Sequence, residues 1–268
     1  MGPINIVWYR FTLAFLILFI YALVFKRQAI RDVTPPPLWA LFSGAMLAFN
    51  YFGYMKGVEL GGPNLTQILI QMGPLMLALA GVVFFKERLS QIQFLGVIIS
   101  ILGYSLFYYQ KWTELKQGGD ILWASLVIFF AAFCWASYAV AQKKLKESYE
   151  GISLNIVTYG LASLVFLPFV QWHSFTGLSL ASWGLIIFLG MNTVIAYGCL
   201  IEAFKYLPAN QVSVIITLNP ILTLIITYLL YFFNIPLIDY DILTVSGYIG
   251  ALCVVLGAVI VIGFSSKN

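Results

Sequence analysis

Two segments of this chain carry the same polar stripe inside otherwise apolar sequence. The stripe positions are spaced three, four and three residues apart, so they share one face of a helix. The two copies, 146 residues apart, are Asn64, Gln67, Gln71 and Pro74, then Asn210, Ser213, Thr217 and Pro220. Amides and hydroxyls so arranged can exchange hydrogen bonds with a polar solute, and in lipid they are costly unless they face protein or water. The duplication favours two halves that line one pathway, as in a carrier.

We predict a substrate pathway built from the stripes and from nearby aromatic and polar side chains. Its residues are Asn50, Gln67, Gln71, Trp135, Tyr138, Asn192, Tyr197, Ser213, Thr217 and Asn219, with Tyr51 as a further wall residue. Pro74 and Pro220 each free a backbone carbonyl, so we expect their helices to bend there. The alternative is that the polar side chains only bond neighbouring helices, as they do in many membrane bundles.

Charged residues inside or beside apolar segments form a second set of candidates. Lys56 and Glu59 are three residues apart, and so are Glu202 and Lys205, which the repeat aligns with them with the signs exchanged. Each pair predicts an ion pair at a membrane boundary, or a gate at one mouth of the pathway. Glu202 is also a candidate proton carrier. Arg10 lies within an apolar span, where it must snorkel or find a carboxylate, a carbonyl or an anionic ligand. We group it with the other four as candidates for gating or coupling.

The sequence carries no catalytic, metal-binding or cofactor-binding motif. Its one histidine, His173, sits in a loop-like stretch, and neither HExxH nor GxSxG nor a dinucleotide fingerprint occurs. Its three cysteines show no pairing pattern. The net charge of +4 resides in short loops, so it does not indicate nucleic-acid binding. We predict no enzyme, no metal, no cofactor and no nucleic-acid partner; the expected partners are a small-molecule substrate and the lipid bilayer, and the oligomeric state is left open.

The elements that must position these residues are apolar helices. The chain is 62% hydrophobic and 9% charged, whereas a soluble domain is about 25% charged. Apolar runs of roughly 20 residues can each cross a bilayer, and their continuity excludes the alternating strands of a membrane barrel. We predict an all-α polytopic membrane protein, with a loop at Gly61-Gly62-Pro63. The nine predicted spans are about 4–25, 37–55, 64–85, 91–109, 120–142, 153–172, 182–204, 209–232 and 245–264.

The repeat extends over the whole chain. Asn5–Tyr9 recurs as Asn155–Tyr159, the pair Gly44 and Tyr51 as Gly190 and Tyr197, and the motif at 95–103 as that at 249–257. Four helices of one half match four of the other, and the helix at 120–142 has no counterpart. We therefore predict two five-helix repeats, 1–112 and 119–264, the first lacking its first helix; nine functional helices are the alternative. Because five is odd, the second repeat enters the membrane inverted, as in many secondary transporters.

Basic residues orient the predicted chain in the membrane. Strict alternation of the nine spans places ten lysines and arginines on one side and three on the other, with Arg10 inside a span. The basic side faces the cytoplasm. We therefore expect a cytoplasmic C-terminus.

Four further motifs stand out: Arg10 within its apolar span, Gly73-Pro74 followed by Phe85–Ser90, Phe133–Tyr138, and Leu200–Val214 followed by Asn219-Pro220. Together they resemble motifs of the EamA family, in the drug/metabolite transporter superfamily. The resemblance implies ten helices in two inverted repeats, cytoplasmic termini and export of a small metabolite. The chain departs from that pattern in its missing first helix and in Phe233–Pro236, which replaces the turn at Lys86-Glu87-Arg88.

These observations predict a secondary transporter in a bacterial inner (plasma) membrane. We expect it to export small organic metabolites, such as amino acids or related compounds, by alternating access. One alternative is an exchanger of phosphorylated metabolites that uses Arg10 and Lys205. The other is a membrane scaffold that transports nothing.

Overall fold

The computed structural model describes residues 2–85, 90–115, 120–207, 212, 216, 219–233 and 245–263. All regular secondary structure in these ranges is helical, which confirms the all-α prediction for them. Two 3-10 helices, Leu167–Phe169 and Trp172–Phe175, follow the seventh α-helix. The α-helices are α1 (Pro3–Phe25), α2 (Arg27–Arg31), α3 (Leu38–Leu69), α4 (Met72–Phe85), α5 (Gln91–Leu115), α6 (Asp120–Leu145), α7 (Gly151–Phe166), α8 (Leu180–Tyr206), α9 (Asn219–Phe232) and α10 (Val245–Gly263).

Helix length and apolarity are those of membrane spans. Four stretches within the described residues are long and apolar enough to cross a bilayer: Pro3–Phe25, Ile121–Leu145, Gly151–Phe169 and Leu180–Tyr206. Shorter apolar helices occupy Leu65–Gly81, Gln91–Leu106 and Val245–Gly257. Large apolar side chains such as Val24, Trp123 and Phe188 lie on the outer surface of these helices, where lipid would contact them. The count of nine spans stays a prediction.

The predicted loop at Gly61-Gly62-Pro63 is a single break within α3. Gly62 has φ 78° and ψ 168°, a combination open essentially to glycine, and the helix continues on both sides. Pro63 begins the second segment, where its missing N–H costs no hydrogen bond. The Thr66 hydroxyl donates to the Gly62 carbonyl at 2.8 Å and closes the break. The loop expectation is wrong here because one glycine suffices to redirect the chain.

The helix is interrupted again at Ile70 and Gln71, four and three residues before Pro74. Proline has no N–H to donate to the carbonyl of Ile70, and its ring crowds that carbonyl. The Ile70 carbonyl instead accepts from the Gly73 N–H at 2.9 Å, in a tighter turn. Pro220 lies at the start of α9.

The chain forms two compact units, each taking segments from both predicted repeats. The first unit comprises Met1–Met55 and Ser137–Leu207. Within it α1 packs against α7 and α8, and one apolar cluster joins Ala40, Leu145, Leu154 and Ile201.

The second unit comprises Lys56–Ala136 and Pro208–Asn268. Its apolar core includes Leu65, Ile68, Ile128 and Val254, and α5 packs along α10.

Glycines bring α5 and α10 into backbone contact. A Cβ on Gly103 would lie 2.8 Å from the Gly250 carbonyl oxygen, and a Cβ on Gly257 would lie 2.5 Å from that of Gly96. The sequence repeat aligns Gly96 with Gly250 and Gly103 with Gly257, so the two contacts are equivalent with the helices exchanged. Such close approach favours helix association in lipid, where burial of apolar surface does not drive it.

Candidate functional site

Arg10 is a charged residue in the apolar helix α1. Its Nε donates to Thr193 Oγ1 at 3.2 Å, and its Nη2 donates to the Tyr51 hydroxyl at 3.4 Å. The guanidinium carbon also lies 4.7 Å from the centre of the Tyr51 ring, within range of a cation–π interaction. One side chain thus connects α1, α3 and α8.

The partners of Arg10 lie far from the ends of their helices. Thr193 is 13 residues from both Leu180 and Tyr206, the ends of α8, or about 20 Å along the axis. Tyr51 is 13 residues after the start of α3 and 11 before the break at Gly62. A snorkelling arginine extends toward a helix end and water. This guanidinium instead contacts hydroxyls at the depth of mid-helix.

Thr193 is held so that its hydroxyl can accept from Arg10. The Thr193 Oγ1 donates its own hydrogen to the Leu189 carbonyl at 2.8 Å. The Thr193 carbonyl accepts from the Tyr159 hydroxyl at 3.2 Å, which ties α7 to the same point. Both Thr193 and Tyr159 are fully buried. The geometry therefore fixes an oxygen lone pair toward the guanidinium.

Aromatic rings surround these polar contacts. Tyr197 lies 5.9 Å from Tyr51, 5.6 Å from Tyr138 and 6.5 Å from Tyr159, measured between ring centres. Phe11 lies 4.9 Å from Tyr51. The buried Tyr138 hydroxyl has no hydrogen-bond partner among the described residues. The Arg10 cluster, as we name it, consists of Arg10, Phe11, Tyr51, Tyr138, Tyr159, Thr193 and Tyr197.

No carboxylate among the described residues contacts the Arg10 guanidinium. Glu150 pairs with Lys26 at 3.1 Å and Glu202 with Lys205 at 2.8 Å, near helix ends. Among the described residues, the Arg10 side chain contacts two neutral hydroxyls and one ring. Within the described part of the first unit, its positive charge is uncompensated.

Several predicted pathway residues lie in the second unit. Gln71 is buried at the helix interruption, and its Oε1 has no hydrogen-bond partner among the described residues. Trp135 is half-buried, and a Cβ on Gly73 would lie 3.1 Å from its ring. Gln67 is half-buried, and Asn219 is exposed at the start of α9. Ser213 and Thr217 lie outside the described residues.

The predicted pathway residues of the first unit differ in burial, because they lie on different faces of their helices. Asn50 is buried in α3, whereas Asn192 is exposed on α8. The buried positions of that turn are Thr193 and Tyr197, four residues apart on one helix face. Sequence reasoning missed Phe11, Tyr159 and Thr193. The spacing of Thr193 from Tyr197 is the signal that identifies it.

Both predicted opposite-charge pairs are formed. Lys56 Nζ lies 3.0 Å from Glu59 Oε1, and Lys205 Nζ lies 2.8 Å from Glu202 Oε2. Their side chains are one-third to one-half exposed, so solvent and salt screen both pairs and each contributes little to stability. These contacts are those of local ion pairs on one helix face.

A second buried polar group in the first unit joins three helices. The Gln142 side chain of α6 is fully buried, and its Nε2 donates to Ser43 Oγ at 3.2 Å and to Thr158 Oγ1 at 3.1 Å. Ser43 Oγ in turn donates to the Ala40 carbonyl at 2.9 Å. These bonds fix α3, α6 and α7 against one another, which is the structural role that polar groups often have between membrane helices.

Comparison with known proteins identifies the family. The profile of the EamA-like transporter family matches residues 1–109 and 122–263. The uncharacterized inner membrane transporter YhbE of Escherichia coli (strain K12) is 30% identical over 262 residues, which cover 96% of this chain and 82% of the relative. An uncharacterized transporter of Haemophilus influenzae is 26% identical over 266 residues, 97% of this chain and 85% of the relative.

A solved crystal structure has a fold similar to that of this chain. It superposes with a TM-score of 0.70 over 100% of this chain and 90% of its own, at 16% identity. The family match, the relatives and the apolar helices agree with one another. This chain belongs to the EamA-like transporter family, and it is an integral membrane transporter and not an enzyme.

Proposed function

We propose that this transporter is a secondary carrier that exports small organic metabolites, such as amino acids or related compounds, by alternating access between inverted repeats. The Arg10 cluster is the observation that carries the proposal. It gathers a cation, hydroxyls and aromatic rings at mid-helix depth within apolar helices. Secondary carriers bind substrate near the middle of the membrane, in pockets lined by a few polar groups.

Two contacts support the inverted repeats, 1–112 and 119–264. Tyr51 and Tyr197 are equivalent residues of the two repeats, and their rings are in contact. The glycine contacts between α5 and α10 are also equivalent, since exchanging the two repeats converts one contact into the other. Equivalent residues meet in this way where a two-fold axis relates the halves. The inner-membrane location named for the relatives, with the C-terminus in the cytoplasm, completes the proposal.

The exchange of phosphorylated metabolites is less well supported. It relied on Arg10 and Lys205, but the Lys205 ammonium is already paired with Glu202. Arg10 alone balances one negative charge, whereas a phosphate monoester carries nearly two at neutral pH. A solute with one negative charge fits the cluster better.

Counterflow in proteoliposomes tests the carrier function. Vesicles containing the purified protein and an unlabelled solute should accumulate the same labelled solute, with amino acids, nucleosides and amphipathic amines as the panel. Empty vesicles are the control. Absence of accumulation for every panel member, by a folded preparation, would contradict a carrier.

Accessibility of the stripes is the second prediction. In a background without Cys134, Cys199 and Cys253, we expect Gln71→Cys and Thr217→Cys to react with a water-soluble thiol reagent in membranes. Ile128→Cys, at a fully buried core position of the second unit, should stay unlabelled. Protection of both stripe cysteines would favour a packed core and the scaffold alternative.

Coupling to protons through Glu202 is the third prediction. Glu202→Gln should abolish flux driven by a pH gradient and leave exchange at equal pH intact, because the glutamine side chain cannot carry a proton. Glu59→Gln is the matched control, since Glu59 also lies three residues from a lysine in an ion pair. Unchanged pH dependence in Glu202→Gln would remove Glu202 from the coupling mechanism.

A further inference from the structure

We infer that the Arg10 cluster binds a carboxylate of the transported solute, so that the substrates are organic anions or zwitterions and not simple amines. This inference rests on the proposed carrier function, and it names the substrate class. Three properties of the cluster lead to it: spare hydrogen-bond donors, an uncompensated charge and an aromatic enclosure.

The cluster offers more donors than the protein uses. A guanidinium has five N–H groups, of which Thr193 Oγ1 and the Tyr51 hydroxyl each accept one. No other hydrogen bond joins the Arg10 side chain to a described residue. The Thr193 hydroxyl cannot compete for an anion, because its own hydrogen is engaged by the Leu189 carbonyl. Nη1 and the second N–H of Nη2 therefore remain for a ligand with two acceptor oxygens, which a carboxylate provides.

Charge selects the same class of ligand. No described carboxylate neutralises Arg10, and a cation at mid-helix depth in a membrane protein is costly without a counter-charge. An anionic solute removes that cost when it binds. An amine would meet the guanidinium as a like charge.

The surrounding rings give the carboxylate an apolar neighbourhood. Phe11, Tyr138, Tyr159 and Tyr197 are buried, and Tyr51 and Arg10 are half-buried beside them. A charge pair is stronger where the local dielectric constant is low. The buried Tyr138 hydroxyl is a further donor without a partner among the described residues. The cluster is thus rich in donors and enclosed by apolar surface.

The test compares three probes that share a phenyl group: L-phenylalanine, 3-phenylpropionate and phenethylamine. Thermal stabilisation of the detergent-purified protein measures binding, and counterflow in proteoliposomes measures transport. We expect the two carboxylates to stabilise the native protein and phenethylamine to leave it unchanged. Arg10→Gln should weaken carboxylate binding at least tenfold, and Arg10→Lys should weaken it less. Arg27→Gln is the matched control, because Arg27 is exposed and its Nε donates to the Leu23 carbonyl of its own neighbouring turn.

Each outcome decides the inference. Equal binding of phenethylamine and phenylpropionate, undiminished binding by Arg10→Gln, or no carboxylate binding to the native protein overturns it. If Arg10→Gln does not fold, Thr193→Val takes its place: it removes the acceptor that positions Nε, and unchanged carboxylate affinity in it would count against the site. Carboxylate binding that depends on Arg10 without any counterflow would uphold the inference and contradict the carrier function. Counterflow of amines alone would uphold the carrier function and contradict the inference.

Discussion

Replacing Gln142 with glutamate should destabilise the first unit by about 3 kcal/mol, the cost of an uncompensated charge within a membrane protein. The native Gln142 amide is fully buried and donates to both Ser43 and Thr158. A carboxylate of the same size cannot donate to either hydroxyl. The expected measurement is a lower midpoint of thermal unfolding for the purified protein in detergent, followed by size-exclusion chromatography.

Two variants distinguish the charge from the lost hydrogen bonds. Gln142→Met keeps the length of the side chain and should cost about 1–3 kcal/mol, since it only leaves the two hydroxyls without their donor. Gln171→Glu introduces the same charge at an exposed position of the first unit and should leave the midpoint unchanged. If Gln142→Glu has the same unfolding midpoint as the native protein, the Gln142 amide does not hold α3, α6 and α7 together.

Gly103→Ala should destabilise the second unit by about 1–3 kcal/mol, the range expected when a packed interface is overfilled. The new methyl group would lie 2.6 Å from the Val254 nitrogen and 2.8 Å from the Gly250 oxygen. Both are backbone atoms of α10, so the two helices must separate. Gly257→Ala should have a similar effect from the other side of the contact, because its methyl group would meet the Gly96 carbonyl and the Ser100 nitrogen at 2.5 Å.

The control for this prediction is Gly198→Ala. Gly198 also lies within a helix, but a Cβ there meets nothing within 4 Å. Alanine is favoured over glycine in helices by about 1 kcal/mol, so this variant should be as stable as the native protein or more so. Equal unfolding midpoints for Gly103→Ala and Gly198→Ala would show that the α5–α10 contact yields without cost.

The helical elements could be predicted from sequence because apolar length and helical propensity are local properties. The span predicted at 182–204 corresponds to Leu180–Tyr206, and that at 4–25 to Pro3–Phe25. The prediction of a loop at Gly61-Gly62-Pro63 was wrong for an equally local reason. Glycine and proline signal a turn, but only the dihedral angles of Gly62 show that one residue makes it and that Pro63 restarts the helix at once.

The Arg10 cluster could be predicted only in part. The repeat pointed to Tyr51 and Tyr197, and these two rings are in contact. Thr193 was missed because Asn192 is the more polar neighbour, although the four-residue spacing to Tyr197 selects Thr193. The partners of Arg10 are 41 and 183 residues away along the chain, and no local pattern specifies such pairings.

The Arg10 guanidinium has no counter-charge among the described residues, and this has an electrical consequence. Moving one elementary charge through 100 mV of membrane potential changes its energy by about 2.3 kcal/mol. With its site empty, the Arg10 cluster carries one positive charge, and one bound monovalent anion cancels it. A conformational change that displaces the cluster in the membrane field would therefore respond to voltage when empty and not when loaded. For an anionic solute, the membrane potential would then govern the return of the unloaded carrier and leave the loaded step unaffected, whereas with a zwitterionic solute the loaded step would also respond to voltage.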